Sequence, residues 1–283
     1  MATIWSGAAV AAALREEYKK DASALKAKTG LVPGLAILRI GDVAEARAYE
    51  AGIYALGAET GIRVSTVVLP EGVEESGVIA EIEKLNRDDS VHGVITMRPF
   101  PENVRESAVA AALSPQKDVD GMTPGSLTGI FTGTHEGFAP CTSEACVKIL
   151  EHYGVALAGK RAAVLGRSMT VGKPAAMLLL EKNATVTLCH SKSEDLESIC
   201  READILVVGI GKANAIGEAH IREGACIVDA GISVIDGAFT GDVSEDAAAA
   251  KAAAYAPVAD GVGAVTVTLL MGHTLEAARR SLQ

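Results

Sequence analysis

From residue 34 to residue 229, short runs with strand character alternate with longer runs of helical period, and few folds can absorb such an order. Gly34–Ile40 (GLAILRI) reads as a buried strand, Ala44–Thr60 as an alanine-rich helix closed by Gly61, and Arg63–Leu69 (RVSTVVL) as a second strand. Residues 75–86 carry a helical pattern, and residues 92–97 (HGVITM) form a third strand that runs into the stiff Pro99-Phe100-Pro101. Strands joined through helices lie parallel, so this half predicts an α/β layer on a mainly parallel sheet.

After a loop rich in Gly, Thr and Pro between positions 123 and 142, the alternation resumes. A helix over 143–153 leads to the strand Arg161–Leu165, and further strands follow at 185–188, 204–208, Cys226–Asp229 and near Tyr255. This regular βαβ order predicts a Rossmann-like domain. The chain opens on a helical pattern within its first 28 residues, and residues 265–282 read as a last helix returning to the first domain, with Met271-Gly272-His273 marking its start. The division expected is therefore 1–138 with 265–283 as one α/β domain, and 139–264 as the dinucleotide-type domain.

At 283 residues, 49% apolar and 22% charged, the chain has material for two modest cores and is not disordered. Its 26 Lys and Arg against 36 Asp and Glu give a formal charge of -10, so no general attraction to nucleic acid or an anionic membrane is expected. Five cysteines without a C-x-x-C pair fit a reducing cytoplasm. No apolar run approaches the roughly 18 residues of a bilayer span, and the N-terminal stretch lacks a basic leader. No histidine spacing suggests a metal site.

Between the strand Arg161–Leu165 and the next helix lies Gly166-Arg167-Ser168-Met169-Thr170-Val171-Gly172-Lys173-Pro174. Gly166 permits a tight turn, Ser168 offers a small hydroxyl, and Gly172 allows close packing where a helix N-terminus can face a pyrophosphate. The spacing is one residue longer than the usual fingerprint, and an ordinary glycine-rich turn would read alike. The next strand decides between cofactors. It ends in Cys189-His190-Ser191-Lys192, where an NAD-specific domain commonly places an acidic residue on the ribose hydroxyls. A neutral and basic end accommodates a 2′-phosphate, so NADP is expected ahead of NAD.

These motifs, in this order, resemble the bifunctional methylenetetrahydrofolate dehydrogenase/methenyltetrahydrofolate cyclohydrolase family over essentially the whole chain. Gly166-Arg167-Ser168, Val171-Gly172-Lys173-Pro174, Ala184-Thr185-Val186-Thr187 and Ala203-Asp204-Ile205 are similar to its second domain. Leu85-Asn86, Val91-His92-Gly93, Pro99-Phe100-Pro101 and Lys117-Asp118-Val119-Asp120-Gly121 are similar to its first, and Pro257-Val258-Ala259-Asp260-Gly261-Val262-Gly263 resembles its PVPGGVG loop. The resemblance implies a cytoplasmic homodimer acting on a small-molecule folate. Tyr49 falls on the tyrosine that stacks on the substrate ring and Asp120 on the aspartate that hydrogen-bonds the pterin. Met97, Arg98, Pro99, Gly261 and Val262 would line the substrate, while Gly166, Arg167, Ser168, Val171, Gly172, His190, Ser191 and Lys192 would hold the cofactor. Without the resemblance, a lone helical Tyr and a loop Asp read as a core residue and a turn former.

Two family positions are substituted. The Y-x-x-x-K motif becomes Tyr49-Glu50-Ala51-Gly52-Ile53, and no lysine occurs between Lys28 and Lys84. Methionine 97 stands where glutamine is expected, and Arg98 where the family has leucine, a charge that would grip the glutamate tail or select another anionic ligand. Further departures are Ala44-Glu45-Ala46 for Pro-Ala-Ser, Ser143 and Ala145 after Pro140-Cys141-Thr142, and Asp260 within the glycine loop. Hydride transfer needs two rings held in contact, whereas cyclohydrolysis needs a proton donor or acceptor of tuned pKa. Isoleucine and methionine supply none, and arginine holds its proton through the neutral range. The expectation is a methylenetetrahydrofolate dehydrogenase whose cyclohydrolase activity is lost or severely impaired. A catalytically silent folate- or nucleotide-binding paralogue and an oxidoreductase of another reduced pterin stay open at this point.

Overall fold

The computed structural model describes residues 2–235, 237–258 and 260–283. Ala259 of the 257–263 loop and the side chain of Glu45 lie outside the described residues. The chain forms two compact units, one of Met1–Ala12 with Pro140–Thr266 and one of Ala13–Ala139 with Val267–Gln283.

The second of these holds a three-stranded parallel sheet. Its strands β2 (Gly34–Ile40), β3 (Arg63–Leu69) and β4 (Gly93–Thr96) run in the order β3-β2-β4. β2 is the middle strand, and its first five residues are buried as a strand covered on both faces requires. Edge strand β3 instead alternates in exposure. The helices are the body of α1 (Gly7–Thr29), α2 (Ala44–Thr60), α3 (Glu75–Arg87), α4 (Glu106–Ala112), α5 (Pro124–Thr132) and the end of α10 (Val262–Arg280). Val78, Ile82 and Leu85 of α3 pack with Ala36, Leu38 and Val94 of the sheet and Val109 of α4.

The other unit carries a six-stranded, wholly parallel sheet in the order β1-β11-β8-β7-β5-β6. The strands are β1 (Thr3–Ile4), β5 (Arg161–Leu165), β6 (Thr185–Cys189), β7 (Ile205–Val208), β8 (Cys226–Asp229) and β11 (Ala254–Ala256), with helices α6 (Cys141–His152), α7 (Gly172–Glu181), α8 (Leu196–Arg201) and α9 (Glu245–Lys251). All four residues of β7 are buried, and the strand order turns back between β5 and β7.

Three features depart from the sequence reading. The helical pattern places residues 1–12 in the first domain as part of an opening helix. Instead Thr3 and Ile4 form a parallel edge strand on Ala254 and Tyr255, and the helix begins at Gly7. Two residues of strand carry no periodicity, so the pattern could not announce them. The last helix starts at Val262 and not at Met271-Gly272-His273. Gly272 lies inside it because a Cβ there would come within 2.5 Å of the Tyr18 ring. Finally, Ser233–Ile235 (β9) and Ala238–Thr240 (β10) pair as an antiparallel hairpin that the βαβ pattern did not foresee. In the sequence, the Asp-Gly dipeptide at 236–237 is a common hairpin signal, and residue 236 itself lies outside the described residues.

Candidate active site

The three-stranded sheet places its candidates at one end. In parallel α/β sheets ligands bind outside the carboxyl ends of the strands, where neighbouring connections diverge. After β2 the chain leaves into α2, and after β4 it leaves into 97–101. The Met97 amide donates to the Leu38 carbonyl at 2.8 Å, so Met97 and Arg98 sit at the end of the central strand. Val94 bridges Asp118 in parallel, so the chain running on from Asp118 reaches the same end as Thr96.

Asp118 fixes the turn that follows. Its buried carboxylate accepts from the amides of Met122 (3.0 Å) and Thr123 (2.6 Å) and from the Ser126 hydroxyl (2.7 Å). Gly121, at φ 70°, closes the turn in the left-handed region. Asp120 stands on that turn with Arg98 against it. Arg98 Nη2 donates to Asp120 Oδ2 at 3.0 Å, and Nη1 to Glu106 Oε1 at 3.2 Å. The Asp120 carboxyl is raised to about 6, chiefly by burial and further by Asp118, against the pull of Arg98 and His273.

Tyr49 and Ile53 lie one turn apart on α2, and their environments differ. Tyr49 is 39% exposed, enough to offer a ring face, whereas Ile53 is 0% exposed and belongs to the core. Met97 is half-buried and carries no exchangeable proton. Neighbouring Glu50, which the sequence reading did not single out, accepts from Arg39 Nε at 2.9 Å and from Thr66 Oγ1 at 2.5 Å. Arg39 and Glu50 side chains are 13% and 15% exposed. Removing one member of such a pair strands the other. Glu50→Ala is therefore expected to cost about 2 kcal/mol, below the ~3–5 kcal/mol of a fully buried pair. A lower urea midpoint at unchanged m-value would register it.

The cofactor candidates gather where the six-stranded sheet turns back. Gly166 follows β5 at φ 115°, and a Cβ on it would lie 2.2 Å from the Gly209 carbonyl beyond β7. A Cβ on Gly172 would lie 1.9 Å from the Gly166 carbonyl. Ser168 Oγ accepts from the Val171 amide at 3.1 Å, and the Ser168 carbonyl from the Lys173 amide at 3.1 Å. The turn is thus self-supported and delivers the N-terminus of α7, with Arg167 and Ser168 exposed. A helix N-terminus delivered by such a turn is able to face a pyrophosphate.

At the end of β6, His190 Nδ1 accepts from the Lys192 amide at 3.1 Å, and Ser193 Oγ from the His190 amide at 3.0 Å. His190 therefore shapes the turn, leaving Ser191 and Lys192 exposed as the groups able to meet a phosphate. Asp242, read from sequence as a loop former, is buried and accepts three amides, from Ile210 (2.6 Å), Gly211 (2.8 Å) and Lys212 (2.7 Å), which pins the loop after β7. Asp229 beside it accepts from Gly231 and Val243, and burial pushes it up to about 6. The sequence reading missed Asp229, since an aspartate ending a strand looks like any turn residue.

Gly261 and Val262, expected on the substrate, fall in the other unit from Tyr49, Met97, Arg98, Pro99 and Asp120, and both are buried. The Gly261 carbonyl would lie 1.8 Å from a Cβ on Gly7, and Asp260 accepts the Gly7 amide at 2.6 Å. Cys141, Cys146, Cys189 and Cys200 are small buried side chains rather than nucleophiles and Cys226 is half-buried, with burial pushing Cys146 and Cys200 up to about 12. No group of His, Cys, Asp and Glu among the described residues could hold a metal, and none of their helices is long and apolar enough to cross a membrane.

Residues 5–120 match the family described as tetrahydrofolate dehydrogenase/cyclohydrolase, catalytic domain, and residues 140–282 match its NAD(P)-binding domain. The bifunctional protein FolD of Alkaliphilus oremlandii is 41% identical over 280 residues, covering 99% of this chain and 98% of that protein. Among solved structures, the bifunctional methylenetetrahydrofolate dehydrogenase/cyclohydrolase of Campylobacter jejuni superposes with a TM-score of 0.94 at 33% identity, covering 99% of each chain. The Trypanosoma brucei methylenetetrahydrofolate dehydrogenase-cyclohydrolase, solved with NADP cofactor and an inhibitor, superposes with a TM-score of 0.91 at 31% identity, covering 100% of this chain and 99% of that one.

Proposed function

Because the chain belongs to the tetrahydrofolate dehydrogenase/cyclohydrolase family, we propose that it is an NADP-dependent 5,10-methylenetetrahydrofolate dehydrogenase whose cyclohydrolase activity is lost or severely impaired. The observation that carries this reading is Ile53, wholly buried one helical turn from the half-exposed Tyr49. Tyr49 offers its ring to the flat face of the substrate. Asp120 accepts hydrogen bonds from the pterin ring N–H and amino groups.

NADP, when bound, supplies the acceptor for the hydride that leaves the methylene carbon. The Gly166–Gly172 turn and the α7 N-terminus would hold its pyrophosphate, and Ser191 with Lys192 the 2′-phosphate. The folate cation left by hydride loss is stabilised by its own nitrogens, so no residue here need move a proton in that half-reaction. Water addition does require one, and neither Ile53 nor Met97 can provide it.

The test is a paired assay on one preparation: oxidation of methylenetetrahydrofolate with NADP and then NAD, beside hydrolysis of methenyltetrahydrofolate. Oxidation alone supports the proposal, and silence in both would favour a binding paralogue. For the cofactor arm, Lys192→Ala is expected to raise the KM for NADP about tenfold, the loss of roughly 1.4 kcal/mol of charge-assisted bonding, with the KM for NAD unmoved. An equal effect on both cofactors would remove Lys192 from the 2′-phosphate.

A further inference from the structure

Arg98 presents a fixed cation to the carboxylate on which substrate recognition is proposed to depend. Its guanidinium bridges Asp120 at 3.0 Å and Glu106 at 3.2 Å, with 35% of its side chain and 21% of that of Asp120 exposed. Phe100, Thr96 and Asp118 join these three around a cavity of about 20 Å³, which holds little more than one water-sized group. The arginine thus occupies one oxygen of Asp120 and leaves Oδ1 to a ligand. Each carboxylate oxygen has two acceptor positions, so Oδ2 can accept a second donor beside Arg98.

We propose that Arg98 is a positioning residue for substrate recognition: its ion pair with Asp120 holds that carboxylate ionised and aimed, so that both oxygens accept from the pterin edge. The inference rests on the folate reading above. Four charged or titratable groups surround Asp120. Arg98 comes from the segment after β4, Glu106 from α4, Asp118 from the same turn, and His273 from α10, where its Nδ1 meets the Val119 carbonyl at 2.7 Å. Burial and Asp118 favour the neutral acid, while Arg98 and His273 favour the anion. The anion accepts on both oxygens, whereas the neutral acid turns one of them into a donor facing the donors of the pterin. The value of about 6 for Asp120 includes the pull of Arg98. Without that cation the balance moves toward the neutral acid.

The experiment follows kcat/KM for methylenetetrahydrofolate against pH in wild type, Arg98→Leu and Glu106→Gln. In parallel, Asp carboxyl titrations are recorded by ¹³C NMR on the free protein, with Asp120 assigned by the signal missing in Asp120→Asn. Arg98→Leu is expected to move the acidic limb and the NMR titration together to higher pH by about one unit, the scale of a neighbouring opposite charge. Glu106→Gln is expected to move both to lower pH, because it removes an anion and leaves Arg98 to Asp120 alone. Its glutamate is exposed, so this variant tests the same coupling should Arg98→Leu fold poorly. An unshifted Asp120 titration in the Arg98 variant, or activity lowered equally at all pH values, would overturn the inference. If wild type neither turns over nor binds folate, the functional reading fails while the NMR arm still decides whether Arg98 sets the state of Asp120.

Discussion

Purified protein is expected to hydrolyse methenyltetrahydrofolate at least about 10²-fold, and up to 10⁴-fold, more slowly than a relative that keeps lysine and glutamine, which is the range that general acid–base assistance contributes. The deficit comes from two positions with no exchangeable proton. Ile53 is completely enclosed and Met97 is half-buried at the end of the central strand. Among their neighbours, Glu50 is held by Arg39 and Thr66, and Arg98 by Asp120 and Glu106. Ile53→Lys alone is expected not to restore hydrolysis. Its ammonium would start from a site evolved for an apolar side chain, at a cost of about 3 kcal/mol or more, and burial would drive it toward the neutral amine. The glutamine that would steer it is also missing, so only the double variant Ile53→Lys, Met97→Gln tests both positions together. Hydrolysis by wild type at a rate comparable with methylene oxidation would mean that another group performs the proton transfer.

How much of this was legible follows from where the information sits. Gly34–Ile40, Arg161–Leu165 and Cys226–Asp229 were readable as strands because buried parallel strands are written as local apolar runs, and the edge strand Arg63–Leu69 because it is rich in β-branched residues. The Gly166–Gly172 turn was readable because its glycines answer a local demand, two backbone segments too close for a Cβ. The strand Thr3–Ile4 was not, because its identity lies in a partner 251 positions away in the register Thr3 to Ala254. The same holds for side-chain networks. Asp242 looked like one more loop aspartate until the amides of residues 210–212 were seen to converge on it. The Arg39–Glu50–Thr66 cluster joins three separate elements and leaves no spacing in the sequence. Arg98 stood out from sequence as a charge out of place, but its partners Asp120 and Glu106 required the fold.

Gly172→Ala is expected to weaken NADP binding by at least about 30-fold, roughly 2 kcal/mol, while leaving the protein folded. The added Cβ would stand 1.9 Å from the Gly166 carbonyl oxygen and 2.4 Å from its carbon. Both are backbone atoms of the same turn, so no flexible side chain can swing aside to relieve the clash. Either α7 withdraws from the turn or Gly166 shifts. Gly166 is itself confined, since its own Cβ position is 2.2 Å from the Gly209 carbonyl. The positive end of the α7 dipole would then no longer face the pyrophosphate it is placed to bind. Folding should survive because the strain is confined to a partly exposed turn, while β5 and β7 keep their register beneath it. Gly217→Ala serves as the control, with no atom within 4 Å of the added methyl and φ of -106°, and it should leave binding and stability within about 0.5 kcal/mol of wild type. Calorimetric titration of each variant with NADP, beside its thermal midpoint, separates lost binding from lost folding. An unchanged Kd in Gly172→Ala would mean that the phosphates do not rest on this turn.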